Sequence, residues 1–246
     1  VGLREEVLSG GRSVLSPQAA GSYGLRHGLK ARASVGYGFR LPTYVDLYYA
    51  DPVHIPNPNL KPESAWNYEG GLDWYLGSRF RGSATVFYSR QSNAIDYVRA
   101  NATQPYQAQN LTGLHFTGVE ASAEWHPASA ETLQASWTLL FGAQQALNGL
   151  QSAYIFNYPT NNASLRWSQS LPQGVFLHSQ LNVVQRYQQT AYPVLGAALA
   201  RESGRVHPFV QFANLTNTGY QEIAGVPMPG RSITGGVELL LTRSPR

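Results

Sequence analysis

Along this chain apolar and polar residues alternate with a period of two, in segments of about ten residues broken by turn residues, which predicts half-buried β-strands rather than helices. Over 29–40 one row reads Leu29, Ala31, Ala33, Val35, Tyr37 and Phe39, and the other Lys30, Arg32, Ser34, Gly36, Gly38 and Arg40. Successive side chains of a strand point to opposite faces, so an unbroken apolar row opposite cations and glycines marks a two-faced strand. The pattern recurs at 66–76, where Trp66, Tyr68, Gly70, Leu72, Trp74 and Leu76 oppose Asn67, Glu69, Gly71, Asp73 and Tyr75. It returns at 119–126, with Val119, Ala121, Ala123 and Trp125 against Glu120, Ser122, Glu124 and His126, then at 133–141 and 237–241. Weaker versions lie at 15–26, 80–90, 175–188 and 206–213, while 157–170 and 192–202 are ambiguous.

Connections alternate in length. Short turns at His27-Gly28, Gly77-Ser78, 126–131, 172–174 and Ser203-Gly204 interleave with mostly long loops at 41–64, 92–110, 145–156 and 217–230, rich in Pro, Asn and Tyr. This predicts an all-β, antiparallel up-and-down transmembrane β-barrel segment of about 12 strands, with short turns at its periplasmic end and long loops outside. In hydrocarbon every backbone N–H and C=O must find an internal partner, so strands span a bilayer only within a sheet that closes on itself. The apolar row then faces lipid and the polar row a wet lumen, where Glu69, Asp73, Glu120 and Glu124 are expected with Arg32 and Arg40 as solvated interior charges. Trp66, Trp74, Tyr37 and Tyr23, near segment ends, suit interfacial girdles.

Composition sharpens the picture. Of 246 residues only 13% are charged, about half the usual globular share, while 12% are aromatic and Gly numbers 24. A soluble β-sandwich would turn a more charged face to water. No apolar run is long enough for a transmembrane helix, and without cysteine there is neither a disulfide nor a thiolate site. The chain opens at Val1, with no leader-like segment, which predicts a mature form or a piece of a longer protein. Its net charge is +4, but the basic residues are scattered singly, so a nucleic-acid partner is not expected. His27, His54, His115, His126, His178 and His207 never fall in close pairs, and no metal or other cofactor is implied. The Asn-x-Ser/Thr triplets at Asn101, Asn110, Asn162 and Asn214 are assigned turn and strand-end roles.

Three stretches carry a family resemblance. Tyr37-Gly38-Phe39-Arg40-Leu41-Pro42-Thr43, then Asp46-Leu47-Tyr48 and Asn57-Pro58-Asn59-Leu60-Lys61-Pro62-Glu63-Ser64, form the first; Asn110-Leu111 with Thr117-Gly118-Val119-Glu120 form the second. The third is Asn214-Leu215-Thr216-Asn217 and Tyr220, followed by Pro229-Gly230-Arg231 and a last alternating strand. Together they resemble the C-terminal part of the barrel of TonB-dependent outer-membrane receptors. The resemblance implies a bacterial outer-membrane protein in contact with lipid, from a barrel of about 22 strands around an N-terminal plug. It implies energy-coupled uptake of a scarce small molecule such as a ferric siderophore or cobalamin, with the TonB complex acting through the plug. Plug, TonB box and first strands are not in this chain, and half a barrel alone leaves two unpaired edges. The tail 242–246 replaces the terminal aromatic usual in such barrels.

Ligand contacts are expected from Tyr44, Tyr48, Tyr49 and His54 on the 41–64 loop and from Arg99 on the 92–110 loop, since aromatic and Arg side chains serve recognition surfaces. Two other readings remain. A passive, self-closed porin fits the strand pattern. A barrel hydrolase would need a Ser–His pair, with His178 beside Ser179 or His126 with Ser122 as the candidates, although neighbours on a strand face opposite ways.

Overall fold

A computed structural model of the chain describes residues 1–7, 13–142, 147–154, 158–223 and 226–241. The aromatic-free tail and part of the 145–156 loop lie outside the described residues. In chain order the elements are β1 (Gly2–Val7), β2 (Ser13–Arg26), β3 (Leu29–Arg40), α1 (Tyr44–Tyr48), β4 (His54–Ile55), β5 (Glu63–Leu76), β6 (Phe80–Ser92), β7 (Ala94–Arg99), β8 (Tyr106–Leu111), β9 (Leu114–Trp125), β10 (Glu131–Gly142), β11 (Gln151–Ser152), β12 (Pro159–Leu171), β13 (Val175–Arg186), β14 (Tyr192–Arg201), β15 (Val206–Ala213), β16 (Gln221–Ile223), β17 (Val226–Pro227) and β18 (Ser232–Leu239).

Twelve strands make one sheet in the order β1-β2-β3-β5-β6-β9-β10-β12-β13-β14-β15-β18, so the long strands follow one another as an up-and-down meander with β1 and β18 as its edges. Pairing is antiparallel in β2–β3, β3–β5, β13–β14 and β15–β18. Partners in an antiparallel pair share a face, and the register of β3 on β5 joins like to like. Leu29 meets Trp74, Ala31 meets Leu72, Val35 meets Tyr68 and Tyr37 meets Trp66 on one side; Lys30 meets Asp73, Ser34 meets Glu69 and Arg40 meets Glu63 on the other. The two rows expected from the alternation are the two faces formed.

On the polar face Asp73 takes Lys30 at 3.1 Å and Arg32 at 3.1 Å, and Glu124 takes Arg81 at 2.7 Å. Glu120 is exposed. Such half-exposed pairs fix side-chain positions and add little stability. The apolar face carries a chain of aromatics, Tyr37–Trp66–Tyr68–Tyr88–His115, with successive ring centroids 5.2, 6.3, 6.2 and 6.2 Å apart. This face is uncovered: Trp66 is 38%, Leu72 42%, Val237 60% and Leu239 60% exposed. Among the described residues the buried apolar side chains lie instead between Leu60 and Leu114.

The chain divides into two compact units. The first comprises Val1–Trp74, Ala84–Glu120 and Leu139–Thr160. It holds a second sheet, ordered β11-β7-β8-β4, that with α1 forms a cap. The second unit comprises Tyr75–Ser83, Ala121–Thr138 and Asn161–Arg246 and includes β13, β14, β15 and β18.

Several expectations change. The region 92–110, read as a loop, folds as the β7–β8 hairpin, and 41–64 contains α1 and β4. Burial explains the first: β7 is covered on both faces, so its side chains do not alternate between apolar and polar. The ambiguous 157–170 and 192–202 are strands β12 and β14, and β1 adds a strand at the start. The β13–β14 connection, 187–191, breaks the rule of long loops at that end.

Candidate functional site

The cap is held at its roots by the residues that make up the first two motifs. Thr43 caps α1: its N–H donates to Asp46 Oδ2 at 2.9 Å and its Oγ1 accepts from Asp46 N at 3.2 Å, a reciprocal capping box just after Pro42. Arg40, at the end of β3 after Phe39, grips Glu63 with Nε at 2.6 Å and Nη2 at 3.2 Å. Glu63 Oε2 also accepts from Ile95 N at 3.0 Å, which ties β5 to β7. Asn57 Nδ2 donates to Ala108 O at 3.1 Å, and Asn57 Oδ1 accepts from Asn59 N at 3.0 Å. Asn110 then brackets Lys61, accepting from its N at 2.8 Å and donating to its O at 2.9 Å, just before Pro62. Leu60 packs with Ile95, Tyr97 and Ala108 in the cap core. In β9, Gly118 is obligatory, because a Cβ there would strike the Phe87 ring and lie 2.7 Å from Leu139 O.

Above these roots sit the expected ligand residues, in two groups. Tyr44 and Tyr48 pair on α1 with ring centroids 5.3 Å apart and are 74% and 58% exposed; Tyr49 is the C-terminal cap of the same turn. His54 and Arg99 come together around a residue that sequence reasoning passed over, Tyr106. The Arg99 guanidinium lies 4.3 Å from the Tyr106 ring centroid, and His54 stacks on the same ring at 6.1 Å. Tyr97 meets His54 edge-on at 5.2 Å. Its phenol is pushed above the ordinary value by burial, helped by the Asp46 charge. His54 Nδ1 faces Asp51 Oδ2 at 3.0 Å, and Asp51 Oδ1 accepts from Val53 N and His54 N, each at 2.8 Å. The bond to the His54 ring is the main cause holding the Asp51 carboxyl below its usual value. The cluster brings together a cation, flat rings and hydrogen-bonding groups, with Tyr97 buried and His54, Arg99 and Tyr106 half-buried.

The third motif forms a corner of the second unit. Asn214, 5% exposed and in a left-handed conformation (φ +48°), donates through Nδ2 to Thr218 O at 2.9 Å and Pro229 O at 3.1 Å. Its Oδ1 accepts from Thr218 N at 3.0 Å and Thr216 Oγ1 at 3.1 Å. Asn217 Oδ1 accepts from Arg231 N at 3.0 Å across Pro229-Gly230-Arg231, and Tyr220 stacks on Tyr192 at 5.1 Å. This corner closes a groove of about 480 Å³ floored by His178, Gln180 and Asn182 of β13.

Neither Ser–His pair proposed from the sequence forms. His178 Nδ1 meets Ser168 Oγ at 3.0 Å rather than Ser179, because Ser168 lies on the strand before it. His126 turns to Thr132 and Glu124, while Ser122 pairs with Ser83 Oγ at 2.8 Å.

A protein-family model for the β-barrel of TonB-dependent receptors matches residues 2–238. The chain belongs to the TonB-dependent receptor β-barrel family. Members of the family are β-barrel proteins of the outer membrane. Among curated relatives, a vitamin B12 transporter of Photobacterium profundum is 33% identical over 116 residues, 43% of this chain and 17% of its own length. A vitamin B12 transporter of Vibrio vulnificus is 28% identical over 106 residues, again 17% of its length. Solved structures share the fold at low identity. The copper transporter OprC superposes with a TM-score of 0.73 at 18% identity, over 93% of this chain and 40% of its own. A variant of the ferric enterobactin receptor of Pseudomonas aeruginosa gives 0.74 at 15% identity, over 96% and 41%. This receptor barrel chain therefore spans about two fifths of the solved relatives it matches. Its family motifs form loop roots and a strand corner, and the candidate ligand side chains stand above them.

Proposed function

We propose that the chain is the C-terminal part of the barrel of an outer-membrane receptor that captures a scarce small molecule, such as a ferric siderophore or cobalamin, for uptake driven by the TonB complex. The plug and the first barrel strands belong to the remainder of the protein. The observation that carries this reading is the family match over residues 2–238 on a chain that covers about 40% of its solved relatives. The uncovered apolar face adds to it, since Trp, Tyr, Leu and Val rows of this length are stable in contact with acyl chains and costly in water. Ligand capture falls to the cap, through Tyr44, Tyr48, Tyr49, His54 and Arg99, joined by Tyr106. A protein that only conducts would need no such buttressed surface.

The test is uptake of radiolabelled cyanocobalamin and of ferric siderophores by cells carrying the full-length protein, with and without a working TonB complex. Uptake of one of these ligands that vanishes without TonB is the expected result. Ion conductance by this chain alone across a planar bilayer, together with TonB-independent uptake, would overturn the reading in favour of a porin.

A further inference from the structure

Contacts of the last described piece of the cap, residues 151–154, converge on one buried carboxylate. Asp96, in the middle of β7, is 1% exposed. Its Oδ2 accepts the Ser152 hydroxyl and its Oδ1 the backbone N–H of Tyr154 at 3.2 Å. Around that anchor the segment 151–154 lies along β7. Gln151 pairs with Arg99 and Ser152 with Val98, Ala153 N donates to Tyr97 O at 2.9 Å, and Tyr154 meets the Tyr97 ring edge-on at 6.0 Å. Its strand, β11, is two residues long and sits at the sheet edge, whereas β7 and β8 share the full register from Ala94↔Leu111 to Val98↔Gln107. Two-residue edge strands are the weakest paired elements of a sheet, and elements with few buried contacts open first.

We propose that residues 151–154 are a detachable strap across the cap, latched by Asp96 through Ser152 and Tyr154, and that the closed strap holds Arg99 through its Nε. Gln151 Oε1 takes the Nε–H of Arg99 at 3.0 Å while the guanidinium stays stacked on Tyr106. The strap therefore occupies a donor that a ligand oxygen would use. Opening costs the bonds from Ser152 and Tyr154, while Tyr97 N still donates to Asp96 Oδ1 at 2.8 Å, so the carboxylate keeps a partner and the latch is poised rather than permanent. The role of opening in ligand capture rests on the cap being the capture surface; the latch itself does not.

The test uses the full-length receptor in detergent, without ligand. Hydrogen exchange read by mass spectrometry follows the 151–154 amides, and phenylglyoxal modification follows Arg99. Ser152→Ala removes the strap's hydroxyl and leaves β7 intact. It should speed exchange at 151–154 by about tenfold, the factor expected for one hydrogen bond to a charged acceptor. The amides of 94–99 and 106–111 should stay unchanged, and Arg99 should react faster. Asp96→Ala should act in the same direction and more strongly. Unchanged exchange in Ser152→Ala, or a rise that spreads equally through β7 and β8, overturns the latch. Faster exchange without faster Arg99 modification overturns the hold on Arg99. All these outcomes are read without any ligand or uptake.

Discussion

Asn214 gives the sharpest perturbation, because its two side-chain ends do different work. Its amide nitrogen donates to two carbonyls, those of Thr218 and Pro229, and its amide oxygen accepts from Thr218 N and Thr216 Oγ1. Its backbone is left-handed, a conformation that Asn tolerates and Ala resists. In Asn214→Ala four bonds are lost, each worth about 0.5–1.5 kcal/mol net. A penalty of about 1 kcal/mol for the left-handed Ala adds to this. The corner should therefore open more easily by about 3 kcal/mol or more, roughly a hundredfold in the exchange rate of the Thr218 amide. Asn214→Gly removes only the conformational penalty and should recover about 1 kcal/mol of that. Asn214→Asp keeps both acceptor bonds but sets a carboxylate oxygen against two carbonyls, so it should be at least as damaging as Ala despite its near-identical shape. Hydrogen exchange over 214–218 and 229–231 in the full-length protein, reconstituted in vesicles, measures all three. Asp behaving like wild type would show that the two donor bonds carry no weight; Gly behaving like wild type would reduce the residue to a turn former.

Gly118→Ala should destabilise the barrel wall by about 2–3 kcal/mol through overpacking, since the added methyl meets Leu139 O at 2.7 Å. Urea unfolding in vesicles reads this, and Phe87→Ala in the same background should not restore stability, because the carbonyl stays; a wild-type midpoint in Gly118→Ala would refute the close approach. The Asp51 clasp should be pH-dependent in one direction. A carboxyl held below the ordinary 3.8 contributes stability above that value and loses it as pH falls through its own lower value, so exchange of the Val53 and His54 amides, corrected for intrinsic rates, should stay flat from neutral pH and rise only below about pH 4. Asp51→Asn should abolish the acid transition, and a transition that survives this substitution would refute the assignment.

The wall was legible because one of its faces is an apolar row and the other a polar one. Lys30 beside Asp73 and Leu29 beside Trp74 preserve the alternation in β3 and β5, and β3 ends where Arg40 and Pro42 say it should. The cap was not legible for the opposite reason. β7 is buried on both sides, and Asp96, a carboxylate among apolar neighbours, reads in the sequence as the polarity of a loop. Tyr106 gave no sign of its contacts, since an isolated aromatic between Pro105 and Gln107 fits any exposed turn. One signal was there to be used: Asp51-Pro52-Val53-His54 is an Asx-turn sequence, and its Asp accepts from both following amides.

The placement of the motifs also decides what they can report. Arg40, Asp46, Asn57, Glu63 and Asn110 spend their polar atoms on neighbouring backbone and on each other, as Asn214 does at the other corner. A side chain whose donors and acceptors are taken up at a loop root has little left for a ligand, so these residues can be common to receptors for different cargoes. On the proposed capture role, specificity falls to groups outside the roots. In this chain the candidates are the exposed Tyr44 and Tyr48 rings and the Arg99–Tyr106–His54 stack, whose guanidinium also donates to Gln151 Oε1 and Ala102 O. Replacing the roots should cost folding whatever the ligand, whereas replacing Arg99 or Tyr106 should cost affinity for one ligand while the barrel remains folded.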